Sequence, residues 1–301
     1  MKKILVLGSL NMDLVTNVEK TPKVGETVLG SDFNEIPGGK GANQAVAIGK
    51  LNGDVCMLGR IGNDDFGKSL IKNLKQNNVN VDFVKSIQSA KTGIALIMVN
   101  SNGDNSIVVI PGANFEFKEN ELKKDIFNDV DYLLAQLETP LKTIEKAFIL
   151  AKEKNVFTIL NPAPARVLSD ELIKHTDLLI PNETEFESLS GYDASNEANI
   201  IKGSNVLFEK GVKAILITLG KNGSFYIDSN NFSLKQKGYI VDVVDTTAAG
   251  DSFIGGFLTS ISKGEDIKTS MEFATKVSAL TVTKYGAQSS LPSILEVDNF
   301  K

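Results

Sequence analysis

One motif combines small residues with carboxylates at the predicted start of a helix. It is Asp245-Thr-Thr-Ala-Ala-Gly-Asp251-Ser-Phe-Ile-Gly-Gly256. Ala248, Ala249 and Gly250 leave backbone N–H groups accessible at a helix N-terminus, where the dipole favours an anion such as phosphate. Asp251 lies in the same turn, an unusual place for a carboxylate unless it accepts a proton. The motif predicts a phosphate site beside a general base; the alternative is that Asp251 only complements the helix dipole.

A second motif is rich in glycine and leads into an apolar helical pattern. Its sequence is Pro37-Gly-Gly39-Lys40-Gly-Ala-Asn43-Gln-Ala45. Glycine lets a backbone approach a ligand closely, and the amide of Asn43 can both donate to and accept from hydroxyl groups. These properties suit a sugar better than a phosphate. The alternative is an ordinary turn followed by a helix start, which Gly-rich loops usually are.

Polar side chains also follow predicted strands, at the edge where the carboxyl ends of the strands would lie. Asn11 and Asp13 come after the first strand, and Glu138 follows the strand that ends at Leu137. Ligands of open α/β sheets bind outside this edge. Asn11 and Asp13 can bond neighbouring hydroxyls if the chain between them is extended. The alternative for this pair is an Asx-turn.

The segment Asn182-Glu-Thr-Glu185 occupies a comparable position, directly after a predicted strand that ends at Ile180. Its amide and carboxylates could therefore face the same ligand. The alternative is a helix start, with Asn182 as the capping residue and acids in the first turn. The pattern leaves both interpretations open.

The segment Gly62-Asn-Asp-Asp-Phe-Gly67-Lys68-Ser69 matches the Walker A pattern and lies between a predicted strand and a helix. A P-loop aims backbone N–H groups and one lysine at a polyphosphate, but Asp64 and Asp65 would place two negative charges in that loop. One like-charge pair at about 4 Å costs on the order of 4 kcal/mol at an effective dielectric constant of about 20. We therefore interpret the segment as a turn and helix start.

The composition excludes several classes of function. The net charge of −5 disfavours a broad nucleic-acid-binding face, which requires Lys and Arg to neutralise phosphates. His175 is the only histidine, so a multi-histidine metal site is excluded, and Cys56 is the only cysteine, so no intrachain disulfide can form. No apolar run reaches the roughly 18 residues of a membrane span, and the N-terminus lacks the features of a secretory signal. We expect a cytoplasmic protein.

Strand-like and helix-like segments alternate along most of the chain, as in βαβ units around a parallel sheet. Apolar spacing predicts helices over residues 141–151 and 254–261. Several strands are apolar throughout, which is typical of strands covered on both faces. The predicted strands are Lys3 to Gly8, Asp54 to Leu58, Tyr132 to Leu137, Val156 to Leu160, Leu178 to Ile180 and Ala214 to Thr218.

Two segments, residues 15–36 and 92–111, lack the flanking helices that a parallel crossover needs. Both are typical of strands joined by turns, and Asn102-Gly103 is a hairpin signal. We place them in a small antiparallel β-sheet that projects as a lid from a single α/β domain over residues 1–301. No internal repeat or flexible linker divides the chain.

Taken together, the motifs resemble the ribokinase family of carbohydrate kinases over residues 3 to about 292, in the family's order. They are Gly8-x-x-Asn11-x-Asp13, Gly38-Gly39-Lys40-Gly41-Ala42-Asn43, Asn182-Glu-Thr-Glu185, Thr218-Leu-Gly220 and Asp245-Thr-Thr-Ala-Ala-Gly-Asp251. The resemblance implies a doubly wound, mostly parallel sheet flanked by helices, with a β-sheet lid through which two subunits form a homodimer. The implied activity is ATP-dependent phosphorylation of D-ribose at its 5-hydroxyl.

The resemblance also implies roles for individual residues, with Asp251 as the base and Ala248, Ala249 and Gly250 as an anion hole. Ribose would be held by Asn11, Asp13, Gly39, Lys40, Asn43 and Glu138. Asn182 and Glu185 would organise phosphate and Mg²⁺, largely through water. Nucleotide contacts would come from Thr218, Gly220, Lys221, Gly223 and Thr275.

An activating K⁺ next to the anion hole is similarly implied. Its ligands would be the side chains of Asp245 and Ser290 and carbonyls near Thr247, Thr281, Lys284 and Gly286. The chain departs from the family pattern at Ser289, where the family has proline.

Three other functions remain as alternatives. A kinase for 2-deoxyribose or another pentose differs only in a few hydroxyl contacts. A nicotinamide-dependent oxidoreductase is disfavoured because no Gly-x-Gly-x-x-Gly follows the first strand. A non-catalytic sugar-binding regulator would leave the base-like Asp251 without a role, and the chain has no basic helix-turn-helix segment.

Overall fold

Unbroken apolar runs in the sequence form strands that are covered on both faces. In the computed structural model, which describes residues 1–300, the first strand Ile4–Leu7 is fully buried, and its side chains alternate between two cores. Ile4 and Val6 belong to one core, and Leu5 and Leu7 belong to the other. A strand between two helical layers requires this pattern.

The strands and helices follow one another in the alternating order that the sequence predicts. The strands are β1 (Ile4–Leu7), β2 (Asn11–Asn17), β3 (Asn34–Gly38), β4 (Val55–Gly62), β5 (Asn80–Ile87), β6 (Gly93–Val99), β7 (Asn105–Ile110), β8 (Tyr132–Ala135), β9 (Phe157–Leu160), β10 (Leu178–Leu179), β11 (Ala214–Thr218), β12 (Ser224–Asp228) and β13 (Ser233–Gln236). The helices are α1 (Lys40–Lys50), α2 (Asp65–Gln76), α3 (Leu141–Lys152), α4 (Asp170–Lys174), α5 (Glu183–Ser190), α6 (Glu197–Glu209), α7 (Ala249–Ser262), α8 (Ile267–Thr281) and α9 (Ile294–Asp298). Short 3₁₀ turns lie at Gly112–Glu116, Glu119–Glu121, Lys124–Phe127 and Gly220–Asn222.

The large sheet has the strand order β13-β12-β11-β10-β9-β8-β1-β4-β5. Its strands are parallel from β11 to β5, and β12 and β13 are antiparallel to their neighbours. Because the chain builds outward in both directions from β1, the topological switch point lies between β1 and β8. Ligands of such sheets bind in the crevice at the carboxyl ends of the strands at this point.

A smaller sheet has the order β3-β2-β6-β7. It consists of two antiparallel pairs, β2 with β3 and β6 with β7, joined by parallel pairing of β2 with β6. The Asn102-Gly103 turn connects β6 to β7, as the sequence predicts, and Gly103 has a φ of +85°. Strand β2 begins at Asn11, before the predicted boundary at residue 15, so it leads directly from the large sheet into the small one.

Strands β5, β12 and β13 have no counterpart among the predicted strands, and the other differences are short shifts of strand ends. Strand β4 continues to Gly62, beyond the predicted end at Leu58, and β8 stops at Ala135, before the predicted Leu137. His175 is the C-cap of α4. No helix within residues 1–300 is long and apolar enough to cross a membrane.

Candidate active site

A cavity of about 220 Å³ lies at the carboxyl edge of the large sheet, over the first turn of α7. It gathers residues from five separate segments of the chain. Those predicted from sequence are Lys40, Asn182, Glu185, Thr218, Ala248, Ala249, Gly250 and Asp251. The cavity thus brings together the Asp245–Asp251 motif, Lys40 of the glycine motif, the Asn182–Glu185 segment and Thr218. The predicted ribose-binding residues that do not line it are Asn11, Asp13, Gly39, Asn43 and Glu138.

The start of α7 presents free backbone donors to this cavity. Ala248 precedes the helix with a φ of +60°, a left-handed conformation that is uncommon for a residue with a Cβ. The Ala249 N–H donates to the Thr246 carbonyl at 3.2 Å, and the Ser252 N–H donates to the Ala248 carbonyl at 2.8 Å. Within residues 1–300, the N–H groups of Ala248, Gly250 and Asp251 have no acceptor. A helix start with free N–H groups is an anion-binding arrangement.

Asp251 is buried, and two side chains from α1 hold its carboxylate. Asn43 Nδ2 donates to Oδ2 at 3.0 Å, and Gln44 Nε2 donates to Oδ1 at 2.9 Å. Burial raises the pKa of the Asp251 carboxyl and Glu138 adds to the rise, whereas Lys40 and the two amide donors act against it. A carboxyl group with a raised pKa and an open cavity beside it is suited to accept a proton near neutral pH.

Lys40 is the cation among these acids. The carboxylate of Asp251 raises the pKa of the Lys40 ammonium most strongly, and Glu138 and Glu185 add to this although burial opposes it. The Lys40 side chain therefore stays charged and lies where it balances the negative charge of the cavity.

A second polar group, around Glu138, lies outside the lining of this cavity and contacts the start of α1. The Glu138 carboxylate accepts from the Ser9 hydroxyl at 2.6 Å and from the Lys40 N–H at 3.1 Å. Burial, with Glu138 adding to it, raises the pKa of Asp13 to about 7. The Glu138 carboxylate is therefore close enough to Asp13 to raise the pKa of Asp13.

Asn11 and Asp13 lie in β2 and not in an Asx-turn. Asn11 is buried, and its Oδ1 accepts a hydrogen bond from Nδ2 of Asn114 at 2.8 Å. Gly39, with a φ of +89°, packs so closely that a Cβ on it would lie 2.9 Å from the Asn11 backbone nitrogen. The glycine of this motif is thus required by the backbone, and the extended chain places Asn11 and Asp13 on one side of β2.

Asn182 and Glu185 form a reciprocal capping box at the start of α5. The Asn182 side chain accepts from the Glu185 N–H at 2.8 Å, and Oε2 of Glu185 accepts from the Asn182 N–H at 2.9 Å. The helix-start interpretation of this segment is therefore correct. Burial raises the pKa of the Glu185 carboxyl, and the Asp251 carboxylate adds to the rise against Asn182 and Lys40. Because the capping box uses only Oε2, Oε1 is left for a ligand in the cavity.

The predicted nucleotide contacts are spread more widely. Thr218 lines the cavity and pairs through its backbone with Asn182, whereas Lys221 lines a separate cavity of about 570 Å³. Gly220 has a φ of +51°, and a Cβ on Gly223 would lie 2.0 Å from the Gln236 carbonyl, so the packing of β12 and β13 accounts for that glycine. Thr275 is buried in α8 and donates to the Met271 carbonyl.

The residues implied for K⁺ come from two loops that the structure joins. The Asp245 carboxylate accepts from both the N–H and the hydroxyl of Thr247 and from the Gly286 N–H at 2.9 Å. Although partial burial opposes it, these hydrogen bonds lower the pKa of Asp245. Ser290 donates its hydroxyl to the Ala287 carbonyl. The other members of the set end α8 or follow it: Thr281, Lys284 and Gly286.

The Walker-like segment has the structure that its charges predict. Asp64 is the N-cap of α2 and accepts from the Gly67 N–H at 2.9 Å. Its other contacts are with the backbone and hydroxyl of Thr92. Lys68 is exposed and forms an ion pair with Asp65. A carboxylate occupies the place where a P-loop would hold phosphate.

The sequence matches the model of the pfkB family carbohydrate kinases over residues 1–294. This match covers nearly the whole chain, including every motif that lines the cavity. The chain belongs to the pfkB family of carbohydrate kinases. As a pfkB-family kinase it transfers a phosphoryl group to a carbohydrate, and the cavity contains a buried carboxylate beside free helix N–H groups.

Among curated proteins, this pfkB-family chain is 39% identical to a ribokinase of Staphylococcus aureus over 98% of both chains. It is 35% identical to a deoxyribokinase of Salmonella typhi over 99% of this chain and 98% of the relative. Among solved structures, it is similar to Arabidopsis thaliana ribokinase complexed with ribose and ATP, with a TM-score of 0.93 and 31% identity over 100% and 99% of the two chains. The doubly wound fold with its additional small sheet is confirmed by this likeness.

The structure of this pfkB-family kinase adds site residues that the sequence analysis missed. Ser9, Gln44, Asn114, Asn161 and Gln288 each bond a predicted site residue or its partner. Ser9, Gln44 and Gln288 stand within or next to segments that the sequence analysis names, so a sequence signal existed for these three. Asn114 and Asn161 reach the site from other segments and have no local pattern that marks them.

Proposed function

We propose that this kinase transfers the γ-phosphoryl group of ATP to the 5-hydroxyl of D-ribose, giving ribose 5-phosphate and ADP. One observation carries the proposal: the Asp251 carboxylate borders the same cavity as the free N–H groups of Gly250 and of the α7 start. A base and an anion site in adjacent positions are what phosphoryl transfer to a hydroxyl needs. The likeness to ribokinases, one of them complexed with ribose and ATP, supports the choice of substrates.

In this proposal Asp251 accepts the proton of the 5-hydroxyl as its oxygen attacks the γ-phosphorus. The bond from that phosphorus to the β-γ bridging oxygen breaks, and ADP leaves. Negative charge on the transferring group is stabilised by the N–H groups at the start of α7 and by the ammonium of Lys40. Most of the rate acceleration comes from alignment and from this charge stabilisation, because phosphoryl transfer needs little covalent help.

The sugar would lie between the glycine motif and β2. Asn11, Asp13, Asn43 and Glu138 supply donors and acceptors there, and Gly39 supplies backbone that a ligand can approach. Thr218, Gly220, Lys221, Gly223 and Thr275 remain proposed nucleotide contacts, with Thr218 the one that borders the cavity.

Mg²⁺ fits the Asn182 and Glu185 corner of the cavity. Residues 1–300 contain no group of three or more His, Cys, Asp or Glu side chains placed to hold a metal ion, which suits an ion held mainly by phosphate oxygens and water. The free Oε1 of Glu185 can orient such water. When bound, Mg²⁺ neutralises phosphate charge.

The oxygen donors proposed beside the anion site are of the kind that bind K⁺. Asp245 would contribute one negative charge and Ser290 a hydroxyl oxygen. Carbonyls would come from near Thr247, from Thr281 at the end of α8, and from near Lys284 and Gly286 after it. The hydrogen bond from Gly286 to Asp245 already holds the two loops together. When bound, K⁺ would stabilise the loop that leads into α7 and so the orientation of its N–H groups.

The small sheet would act as a lid over the sugar and as a dimer interface. Its strand β7 exposes a run of large apolar residues, Ile107 to Ile110, each about half exposed. Apolar residues exposed in a continuous strand are typical of an interaction surface, and a second copy of this chain would cover them. Closure of the lid would exclude water and so limit hydrolysis of ATP.

A kinase for 2-deoxyribose is the second candidate, because a deoxyribokinase is 35% identical over nearly the whole chain. The two substrates differ only in the 2-hydroxyl, so the contacts of Asp13 decide between them.

The experiment is a coupled assay of ADP release with a panel of pentoses, hexoses and nucleosides, in buffers with and without K⁺. We expect ribose to give the highest kcat/KM and K⁺ to increase the rate. Preference for a hexose or nucleoside would contradict the proposed substrate, and equal rates in Na⁺ and K⁺ would contradict the activating cation.

A further inference from the structure

A chain of side-chain amides lies behind the carboxylate of Asp251. Gln44 Nε2 donates to Asp251 Oδ1 at 2.9 Å and to Asn161 Oδ1 at 3.0 Å. Gln136 Nε2 in turn donates to Gln44 Oε1. All four side chains are buried, and Asp251 and Asn161 border the cavity whereas Gln44 and Gln136 lie behind them. Hydrogen bonds between buried amides are stronger than those in water. The proposed reaction assigns no role to its three amides.

The orientation of each side-chain amide is fixed by groups at the two ends of this hydrogen-bonded series. An ionised carboxylate can only accept, so Gln44 must turn its Nε2 toward Asp251. At the other end, Asn161 Nδ2 donates to the Ile180 carbonyl at 2.9 Å, which turns Asn161 Oδ1 toward Gln44. Both constraints place Gln44 Nε2 between its two acceptors, Asp251 Oδ1 and Asn161 Oδ1. Gln44 Oε1 is then left to accept from Gln136.

The last amide of this hydrogen-bonded series, Gln136, has an oxygen without a hydrogen-bond partner in the described part of the chain. Gln136 Oε1 is buried and has no hydrogen-bond partner within residues 1–300. A Cβ on Gly8 would lie 2.2 Å from this oxygen, so only glycine fits beside it. An apolar side chain in place of Gln136 would remove this unsatisfied acceptor but would leave the buried Gln44 Oε1 without its donor. Within this chain of amides, Gln136 therefore acts as the donor that fixes Gln44 Oε1.

Gln44 and Asn43 together hold both oxygens of the carboxylate. Asn43 bonds Oδ2 at 3.0 Å, and its own amide direction is fixed by a hydrogen bond from Gln288 at 3.0 Å. With one lone pair of each oxygen occupied, the rotation of the carboxylate group is restricted. The remaining lone pairs are then presented to the cavity in one orientation, which proton transfer requires.

We propose that Gln44 is a positioning residue for the base, and that Gln136 and Asn161 set the direction of its amide. The inference rests on the proposed role of Asp251 as the base and adds to it the group that orients that base. Gln44 does not contact the substrate in this proposal. It acts through Oδ1 of Asp251.

The expected effect of removing Gln44 has a defined sign. The charged groups that face Asp251 are Lys40, Glu138 and Glu185, and a Gln44 substitution leaves all three in place. Loss of the Gln44 donor removes a hydrogen bond that favours the ionised carboxylate, so the pKa of Asp251 rises. The acid limb of the pH profile then moves to higher pH.

The experiment compares Gln44→Met and the nearly isosteric Gln44→Glu with the wild-type protein, and uses Gln76→Met on the exposed end of α2 as the control. We expect kcat for ribose to fall about 10- to 100-fold in Gln44→Met while KM changes less than about threefold.

The acid limb of the pH profile of kcat/KM should move upward by about one pH unit in Gln44→Met. Gln44→Glu should move it further, because two adjacent carboxylates share one proton. Gln136→Met should shift it in the same direction but less.

An infrared titration of the Asp251 carboxyl, assigned by difference from Asp251→Asn, gives a readout that does not depend on activity. An upward shift of that titration in Gln44→Met supports the inference whichever sugar is the substrate. An unchanged titration and an unchanged pH profile in both Gln44 variants would overturn it, even if kcat falls through altered packing. Failure of the proposed function would be recognised separately, as a wild-type protein that does not phosphorylate ribose.

Discussion

Nδ2 of Asn114 donates a hydrogen bond to Oδ1 of Asn11 at 2.8 Å. The direction of the Asn114 amide is not free, because its Oδ1 accepts from the Leu10 N–H at 2.9 Å and its Nδ2 also donates to the Leu10 carbonyl. Oδ1 of Asn11 therefore faces Asn114, and Asn11 Nδ2 is the group left for the proposed sugar. In this proposal Asn11 would recognise its ligand as a hydrogen-bond donor.

We predict that Asn114→Asp weakens sugar binding. The substitution replaces the donor Nδ2 with an oxygen that repels Oδ1 of Asn11, so the Asn11 amide turns and presents the wrong atom. Loss of one hydrogen bond of about 1 to 1.5 kcal/mol corresponds to a KM for ribose raised on the order of tenfold. Steady-state kinetics measures it, with melting followed by circular dichroism as the test of folding.

The matched control is Asn102→Asp in the exposed turn between β6 and β7, which should leave KM unchanged. A folded Asn114→Asp protein with the wild-type KM would mean that the orientation of Asn11 does not affect recognition.

Asp251→Asn tests the base. The substitution keeps the shape of the side chain but removes the group that accepts the proton, which typically contributes about 10²- to 10⁴-fold to the rate. We predict a loss of kcat in that range with an intact fold. Burst and steady-state assays of ribose 5-phosphate formation measure it, and near-normal turnover would remove Asp251 from its role.

Ribose should be phosphorylated well ahead of 2-deoxyribose. If Asp13 bonds the 2- and 3-hydroxyls, loss of the 2-hydroxyl costs about 1 to 3 kcal/mol, or roughly 5- to 150-fold in kcat/KM. Paired kinetics with the two sugars measures the ratio, and Asp13→Ala should bring it close to unity. A preference for deoxyribose in the wild-type protein would favour the second candidate function.

The raised pKa of Asp13, about 7 against 3.8 for an ordinary carboxyl, predicts a pH dependence of stability. Between these two pH values the folded chain binds the proton and the unfolded chain does not. The free energy of unfolding therefore falls as pH rises through this window, by at most about 1.4 kcal/mol per pH unit. Asp13→Asn removes this contribution, so its stability relative to wild type should increase up to pH about 7 and then stay constant.

Urea unfolding across this range measures the difference, with the exposed Asp242→Asn as control. A constant difference between Asp13→Asn and the wild-type protein at all pH values would show that the Asp13 carboxyl titrates normally.

Much of the fold was predictable because its signals are local. The strand Ala214–Thr218 agrees with its prediction because an unbroken apolar run can be buried only inside the sheet. Strand β4 was underestimated because Gly59 and Arg60 look like a turn. The fold buries Arg60 by stacking its guanidinium 3.7 Å from the centre of the Phe117 ring and by pairing it with Glu121. These partners lie far away in the sequence, so they leave no local signal.

Some residues of the candidate site are also marked by local sequence patterns, and others are not. Asp251 and the α7 start were predictable because an acid among small residues at a helix start is a short-range pattern. Asn114 and Asn161 were not predictable, because a buried amide gains its role only from the partner that folding brings to it. Asn114 is 103 residues from Asn11 along the chain. The Asn182 pattern was ambiguous since capping and ligand binding favour the same residue types.

In the proposed reaction the transferred phosphoryl group binds at the start of α7 and faces Asp251. The decisive measurement is a crystal structure of the protein with ribose and a non-hydrolysable ATP analogue. We predict that the terminal phosphate accepts hydrogen bonds from the N–H groups of Gly250 and its neighbours, with the 5-hydroxyl of ribose between that phosphate and the Asp251 carboxylate. A terminal phosphate bound elsewhere, for instance beside Gly67 and Lys68, would contradict the account.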